Sequence, residues 1–245
     1  MLRIAFVLMA LLTHPQLNVD GAAATAPPRT SGVHDIETRL DNGARARFTL
    51  ALPDTLDDAG THPLIVVLHY GGHPTRYYGR PLVEQLFRPA LAGLAAIYLA
   101  PESTGGQWTD VANEAFVMRL LDAITAYYPV DRDRIVIAGY SMGAIGSWYL
   151  LEHYPECFSA AVPVAGLPAG TVTTAAPVYT LAAPNDEIFA FERFEALVAE
   201  RRSAGQVIEF ASVPAQGHYD IQGFRTALAA VAPWLEGIWN TTPSR

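Results

Sequence analysis

Three side chains in this sequence have the types and chain order needed for nucleophilic attack at a carbonyl carbon. Gly139-Tyr140-Ser141-Met142-Gly143 spells G-x-S-x-G between the β-branched run RIVIAG and the helix-length apolar run IGSWYLLEHY. A strand turning into a helix over so few residues predicts a nucleophile elbow. The turn forces its central residue into a strained backbone conformation, so the residues on either side must be small, and glycine meets that need. Ser141 is then lifted to the tip. The N–H of Met142 opens the helix, where the dipole favours negative charge, and is placed to meet an oxyanion.

A hydroxyl is a poor nucleophile until a base takes its proton, and an imidazole base needs an acid to hold its tautomer. In sites built on such an elbow the acid follows the serine and the histidine follows the acid. Of the seven histidines only His153 and His218 come after Ser141. His153 falls about three turns along the helix behind the elbow and points away from it. That leaves His218, in Gln216-Gly217-His218-Tyr219-Asp220 just past a strand end. For the acid, the run from Val178 to Ala183 leads into Pro184-Asn185-Asp186-Glu187, followed by apolar Ile188-Phe189. Asp186 is assigned on order and placement. Glu187 is its adjacent competitor, and Asp220 lies after the histidine and too close to it.

A second oxyanion donor is expected after the apolar run Leu64 to Leu68, in His69-Tyr70-Gly71-Gly72. Gly71 is the first choice, with Tyr70 and Gly72 left open; His69 reads as a structural hydrogen-bonding residue. Aromatic residues crowd the predicted rim: Tyr70, Tyr77, Tyr78, Trp108, Tyr140, Trp148 and Tyr219. Tyr140 and Trp148 read as core. Tyr70, Trp108 and Tyr219 are the candidate substrate contacts.

The elements that must carry these residues alternate strand and helix. IETRL and ARFTLAL read as two strands joined at Asp41-Asn42-Gly43, an N-G hairpin signal. The continuous apolar run Leu64 to Leu68 and a second at Ala95 to Ala100 read as buried strands, and Ala160 to Val164, Val178 to Ala183 and Val207 to Val213 read as three more strands. Helical patterns fall at Leu82 to Leu94, Val111 to Tyr128, the run behind the elbow, Phe191 to Ser203 and Gly223 to Leu235. This alternation predicts an α/β fold with a mostly parallel sheet flanked by helices. About a dozen small residues, Thr and Pro separate Val164 from Val178, far fewer than a lid domain needs.

The chain of 245 residues, 51% hydrophobic and 16% charged, is enough for one sizeable core, placed at 33–240 behind a linker at 27–32. Met1-Leu2-Arg3 and the apolar run Ile4 to Leu12, followed by Ala22-Ala23-Ala24-Thr25-Ala26, predict a signal peptide over 1–26 and a secreted or periplasmic protein. A net charge of −8 without basic runs argues against nucleic acid and anionic membranes as partners. The apolar run is too short to insert stably in a bilayer. The lone Cys157 can form no internal disulfide and reads as a small packed hydrophobe.

The blocks LHYGG, YLAPESTGGQWTD, VDRDRIVIAGYSMGAIGSWYLLEHYPECFSAAVPVAG, AAPNDEIFAF and PAQGHYD resemble, in this order, the α/β-hydrolase superfamily. Within it they are most similar to the secreted esterase and predicted-peptidase group, which includes feruloyl esterases, polyhydroxybutyrate depolymerases and phospholipase/carboxylesterases. The resemblance covers roughly residues 45 to 235. Tyr70 stands where the family often has glycine, Ala144 where a second glycine often follows the elbow, and Ala182-Ala183-Pro184-Asn185-Asp186 where a His-Gly-x-x-Asp type is usual. The resemblance implies an α/β-hydrolase fold and a serine hydrolase acting on small-molecule or polymer-linked carboxylic esters. Ser141, His218 and Asp186 would be its triad, Met142 and Gly71 its oxyanion donors, and no metal or other cofactor would be required. The alternatives are a serine peptidase of the prolyl-oligopeptidase type, with the same triad and an amide substrate, and a non-catalytic binding protein on a hydrolase fold.

Overall fold

The computed structural model describes residues 27–56, 60–170, 174–214 and 217–241. The leader expected over 1–26 lies outside the described residues.

Among the described residues eight strands form one sheet in the order β1-β2-β4-β3-β5-β6-β7-β8. β1 (Gly32–Arg39) and β2 (Arg45–Leu52) are the expected hairpin, paired antiparallel from Gly32 opposite Leu52 to Arg39 opposite Arg45. Gly43 turns the corner at φ +80, a conformation that glycine adopts without strain. β2 also runs antiparallel to β4 (Ile97–Pro101). From β3 (His62–Leu68) through β5 (Val130–Tyr140), β6 (Ala160–Val164), β7 (Val178–Ala182) and β8 (Ile208–Ser212) every pairing is parallel.

The continuous apolar runs arise because the central strands bury both faces. Along β3, Leu64, Val66 and Leu68 face one core and Ile65 and Val67 face the other. Along β5, Ile135 and Ile137 alternate with Val136, Ala138 and Tyr140 in the same way. The first core is covered by α3 (Val111–Tyr127), α4 (Met142–His153) and Val198 of α5 (Phe191–Ser203). The second is covered by the helical segment 80–90 and by α6 (Arg225–Leu228) and α7 (Val231–Thr241).

Two helices differ from their sequence pattern, both at prolines. The segment predicted as one helix from Leu82 to Leu94 is α1 (Arg80–Leu82), a π-type turn at Val83–Phe87 and α2 (Arg88–Ala90). Pro89 has no N–H to give the carbonyl four residues back, and its ring would press on that carbonyl. The chain widens, and the Arg88 N–H bonds the Val83 carbonyl five residues back. The final helix, predicted as one piece from Gly223, is a 3₁₀ turn at Ile221–Phe224, then α6, then α7. Pro233 can sit only near a helix start, so α7 begins anew at Val231.

Candidate active site

The sheet presents β3, β5, β7 and β8 with their carboxyl ends on one edge, and the loops leaving that edge meet. Ser141 stands between β5 and α4 at φ 55, ψ −115, a backbone conformation costly for any residue with a Cβ. Its neighbours enforce it. A Cβ on Gly139 would lie 2.3 Å from the Gly143 carbonyl oxygen, and one on Gly143 would lie 2.0 Å from that of Leu68. The Ser141 N–H donates to Val164 of β6 at 2.9 Å, and its carbonyl accepts from Ile145 at 3.1 Å.

His218 joins the other two residues. Its Nδ1 lies 2.8 Å from Asp186 Oδ2 and its Nε2 lies 2.8 Å from Ser141 Oγ. Because a carboxylate can only accept, Nδ1 carries the proton and Nε2 is left as the acceptor for the serine hydroxyl. Asp186 is fixed in turn. Its Oδ1 accepts from the N–H groups of Ile188 and Phe189, each at 2.8 Å, and its side chain is fully shielded from solvent. Charge-assisted bonds from backbone donors keep a buried carboxylate satisfied.

Met142 opens α4, so its N–H has no carbonyl four residues back to bond. Gly71 sits directly over it: a Cβ on Gly71 would be 3.7 Å from the Met142 Cβ. His69, fully buried, orients this corner. The Ser103 N–H donates to His69 Nε2 at 3.2 Å, so the ring proton is on Nδ1 and is donated to the Tyr70 carbonyl at 2.8 Å. In a trans peptide C=O and N–H point opposite ways, so the Gly71 N–H is turned away from His69. Burial lowers the His69 pKa below its ordinary value, which keeps the ring neutral.

A cleft of about 390 Å³ opens over Ser141 and His218, lined also by Tyr70, Gly71, Tyr140, Ile188, Tyr219 and Ile221. Tyr70 and Tyr219 are therefore at the cleft, Tyr219 being 76% exposed. Trp108 is not. It is 1% exposed, and its indole N–H donates to the His69 carbonyl at 2.8 Å. Its expected substrate contact is corrected to a packing one, because an indole can satisfy its single donor inside the core. Tyr140 and Trp148 are buried as expected, with Trp148 donating to the Gly166 carbonyl at 3.1 Å.

The model of the Esterase family matches residues 52–190, more than half of the chain. The chain belongs to the Esterase family. Acetylxylan esterase A of Aspergillus oryzae is 26% identical to this family member over 156 residues, 58% of this chain and 49% of that protein. That of Aspergillus awamori is 25% identical over 177 residues, 67% and 56% of the two chains. The chain thus spans about half the length of the curated relatives it matches. Among solved structures, a thermostable esterase aligns at TM-score 0.68 and 22% identity, covering 84% of this chain and 62% of that one. A ferulic acid esterase aligns at TM-score 0.68 and 17% identity, covering 85% and 98%. These likenesses show the α/β-hydrolase fold.

Three residues of this Esterase-family chain support the site in ways the sequence reading did not foresee. The Tyr140 hydroxyl donates to the His218 carbonyl at 2.7 Å, and burial raises its pKa so that it stays a donor. Glu187, the rejected competitor for the acid, accepts from the His218 N–H at 2.7 Å. Asn113, fully buried, accepts from the Thr104 N–H and hydroxyl and donates to the Gly105 and Gln107 carbonyls, setting the loop that delivers Trp108. Tyr140 left a trace in the sequence as the variable residue inside G-x-S-x-G, and Glu187 as the neighbour of Asp186, whereas Asn113 left none.

Proposed function

We propose that this protein is a serine esterase that cleaves carboxylic esters through an acyl-enzyme. The observation that carries this reading is the continuous line from Asp186 through His218 to Ser141, with both links at 2.8 Å. His218 Nε2 takes the Ser141 proton as Oγ attacks the acyl carbon. Asp186 holds the ring tautomer and stabilises the imidazolium that forms. The oxyanion is met by the Met142 and Gly71 N–H groups, preorganised at the helix start and by the His69 bond. The imidazolium then protonates the departing alkoxide, and water, activated by the same ring, attacks the acyl-serine and releases the acid.

Substrate contacts would come from Tyr70 and Tyr219, which flank the nucleophile. Among the described residues the cleft lining carries, apart from His218, no ionisable group other than tyrosine, which suits neutral acyl and alcohol groups. The name of the curated relatives, acetylxylan esterase, favours acetyl esters carried on xylan. Export directed by residues 1–26 would bring the enzyme to such polymers, and among the described residues no helix is long and apolar enough to cross a membrane.

The test is intact-mass labelling with a fluorophosphonate alongside turnover of short p-nitrophenyl esters, for the native protein and Ser141→Ala. One adduct that disappears in the variant together with ester turnover is the expected result. An unlabelled native protein without turnover would sink the assignment.

A further inference from the structure

We infer that Glu187 is a positioning residue, whose carboxylate holds the main chain of His218 so that the imidazole meets Ser141. The inference rests on reading Ser141, His218 and Asp186 as a working triad. Glu187 Oε2 accepts from the His218 N–H at 2.7 Å. The residue before the histidine is shaped for that contact. Gly217 sits at φ +155, and a Cβ there would lie 2.6 and 2.9 Å from the two Glu187 oxygens. The carboxylate fills the place a side chain would need.

Two consecutive carboxylates thus act on one histidine, Asp186 on its ring and Glu187 on its backbone. The loop that carries both is stiff, because Asp186 Oδ1 bonds the Ile188 and Phe189 N–H groups and the Asp186 N–H bonds the Ala183 carbonyl at 3.1 Å. On the other side of the histidine, its carbonyl is held by Tyr140. With its N–H and C=O both anchored, the Cα–Cβ direction of His218 is fixed, and Asp186 has only to choose the rotamer. Both anchors come from residues next in sequence to the triad members. Tyr140 precedes Ser141 and Glu187 follows Asp186, so the histidine is referenced to the two groups it must bridge.

Glu187 does not line the cleft, so its loss should leave substrate binding alone and weaken the step that needs His218 in register. Displacements on the order of 1 Å cost up to about 100-fold in rate, and a histidine still held by three other bonds should lose about tenfold.

The experiment compares Glu187→Ala, Glu187→Asp, Glu187→Gln and Ser141→Ala for kcat and KM on p-nitrophenyl acetate, with thermal unfolding followed in parallel. In the alanine variant kcat should fall about tenfold while KM stays within about twofold. Glu187→Gln, which keeps an acceptor oxygen without the charge, should recover most of kcat. Glu187→Asp, which keeps the charge one methylene short, should resemble alanine, and it decides the matter if the alanine variant does not fold. Unchanged kcat in both the alanine and aspartate variants, or rescue by aspartate and not by glutamine, would overturn the inference. Turnover that survives Ser141→Ala would overturn the triad itself, whereas turnover lost in Ser141→Ala but intact in Glu187→Ala would overturn the role of Glu187 alone.

Discussion

The phenol of Tyr140 donates to the main-chain carbonyl of His218 at 2.7 Å, so the residue just before Ser141 grips the histidine whose ring meets the Ser141 hydroxyl. Tyr140 is buried, its ring centroid 5.5 Å from that of Phe224 and the two rings nearly perpendicular. Tyr140→Phe keeps the ring and removes one hydrogen bond, leaving a buried carbonyl unpaired, which costs about 1–3 kcal/mol. The variant should unfold at a lower temperature and lose kcat several-fold with KM little changed. Calorimetry and steady-state kinetics check both halves, and a full kcat would show that His218 keeps its place without this bond.

His69 should matter to rate through the peptide it orients. Replacing it with alanine frees the Tyr70 carbonyl and lets the Gly71 N–H turn; on the proposed mechanism that N–H is an oxyanion donor, and loss of one such donor typically costs about 10²–10³ in kcat. Reorientation should cost less than removal, so a fall of roughly 10- to 100-fold is expected. Burial depresses the His69 pKa, so the neutral ring favours the folded state at pH above 6.5, and this contribution is lost as pH falls through the folded value. The stability gap between the native protein and a His69→Ala variant should narrow below pH 6.5. A gap that widens in acid would contradict the neutral-ring assignment.

The fold was legible where local pattern and global position agree. Leu64 to Leu68 and the elbow strand are apolar throughout because both their faces are covered, and the elbow needs glycine for steric reasons that hold at the sequence level. Chain order and strand ends singled out Ser141, Asp186 and His218, which the structure brings within hydrogen-bond distance of one another. The supporting bonds could not. Tyr140 meets His218 across 78 residues and Trp108 meets His69 across 39 residues, and no local period records either. Glu187 was visible only as an alternative to Asp186, because choosing between neighbouring carboxylates leaves no place for both acting together. The broken helices follow from Pro89 and Pro233, which an apolar period alone does not weigh.

Trp108 gives a prediction opposite to a substrate contact. A Cβ on Gly146 would lie 2.4 Å from the Trp108 Cβ, so α4 is pressed against it, and its N–H is committed to His69. Trp108→Phe should leave KM unchanged, because the ring is inside the core. Stability should fall by about 1–3 kcal/mol, from lost volume and from the unpaired His69 carbonyl. A KM raised several-fold with unchanged thermal stability would return Trp108 to the substrate.

Glu114 ties α3 to the far end of α4, away from the cleft. Its two carboxylate oxygens accept from the Tyr149 and Tyr154 hydroxyls, each at 2.5 Å. The Tyr149 bond first, then that of Tyr154, holds the Glu114 carboxyl below its ordinary value of 4.5, and both phenols are pushed up to about 12. A carboxyl depressed in the folded state contributes stability above its unfolded pKa and loses it as pH falls through the folded one. Glu114→Gln keeps the shape and removes the charge, so it should cost roughly 1 kcal/mol at neutral pH for a partly solvated pair of charge-assisted bonds. The difference should shrink as pH drops below 4.5, and ester turnover should stay at the native rate. Urea unfolding of both proteins at pH 7 and pH 3.5 measures it. A cost independent of pH would mean that shape, not charge, holds the two helices together at this point.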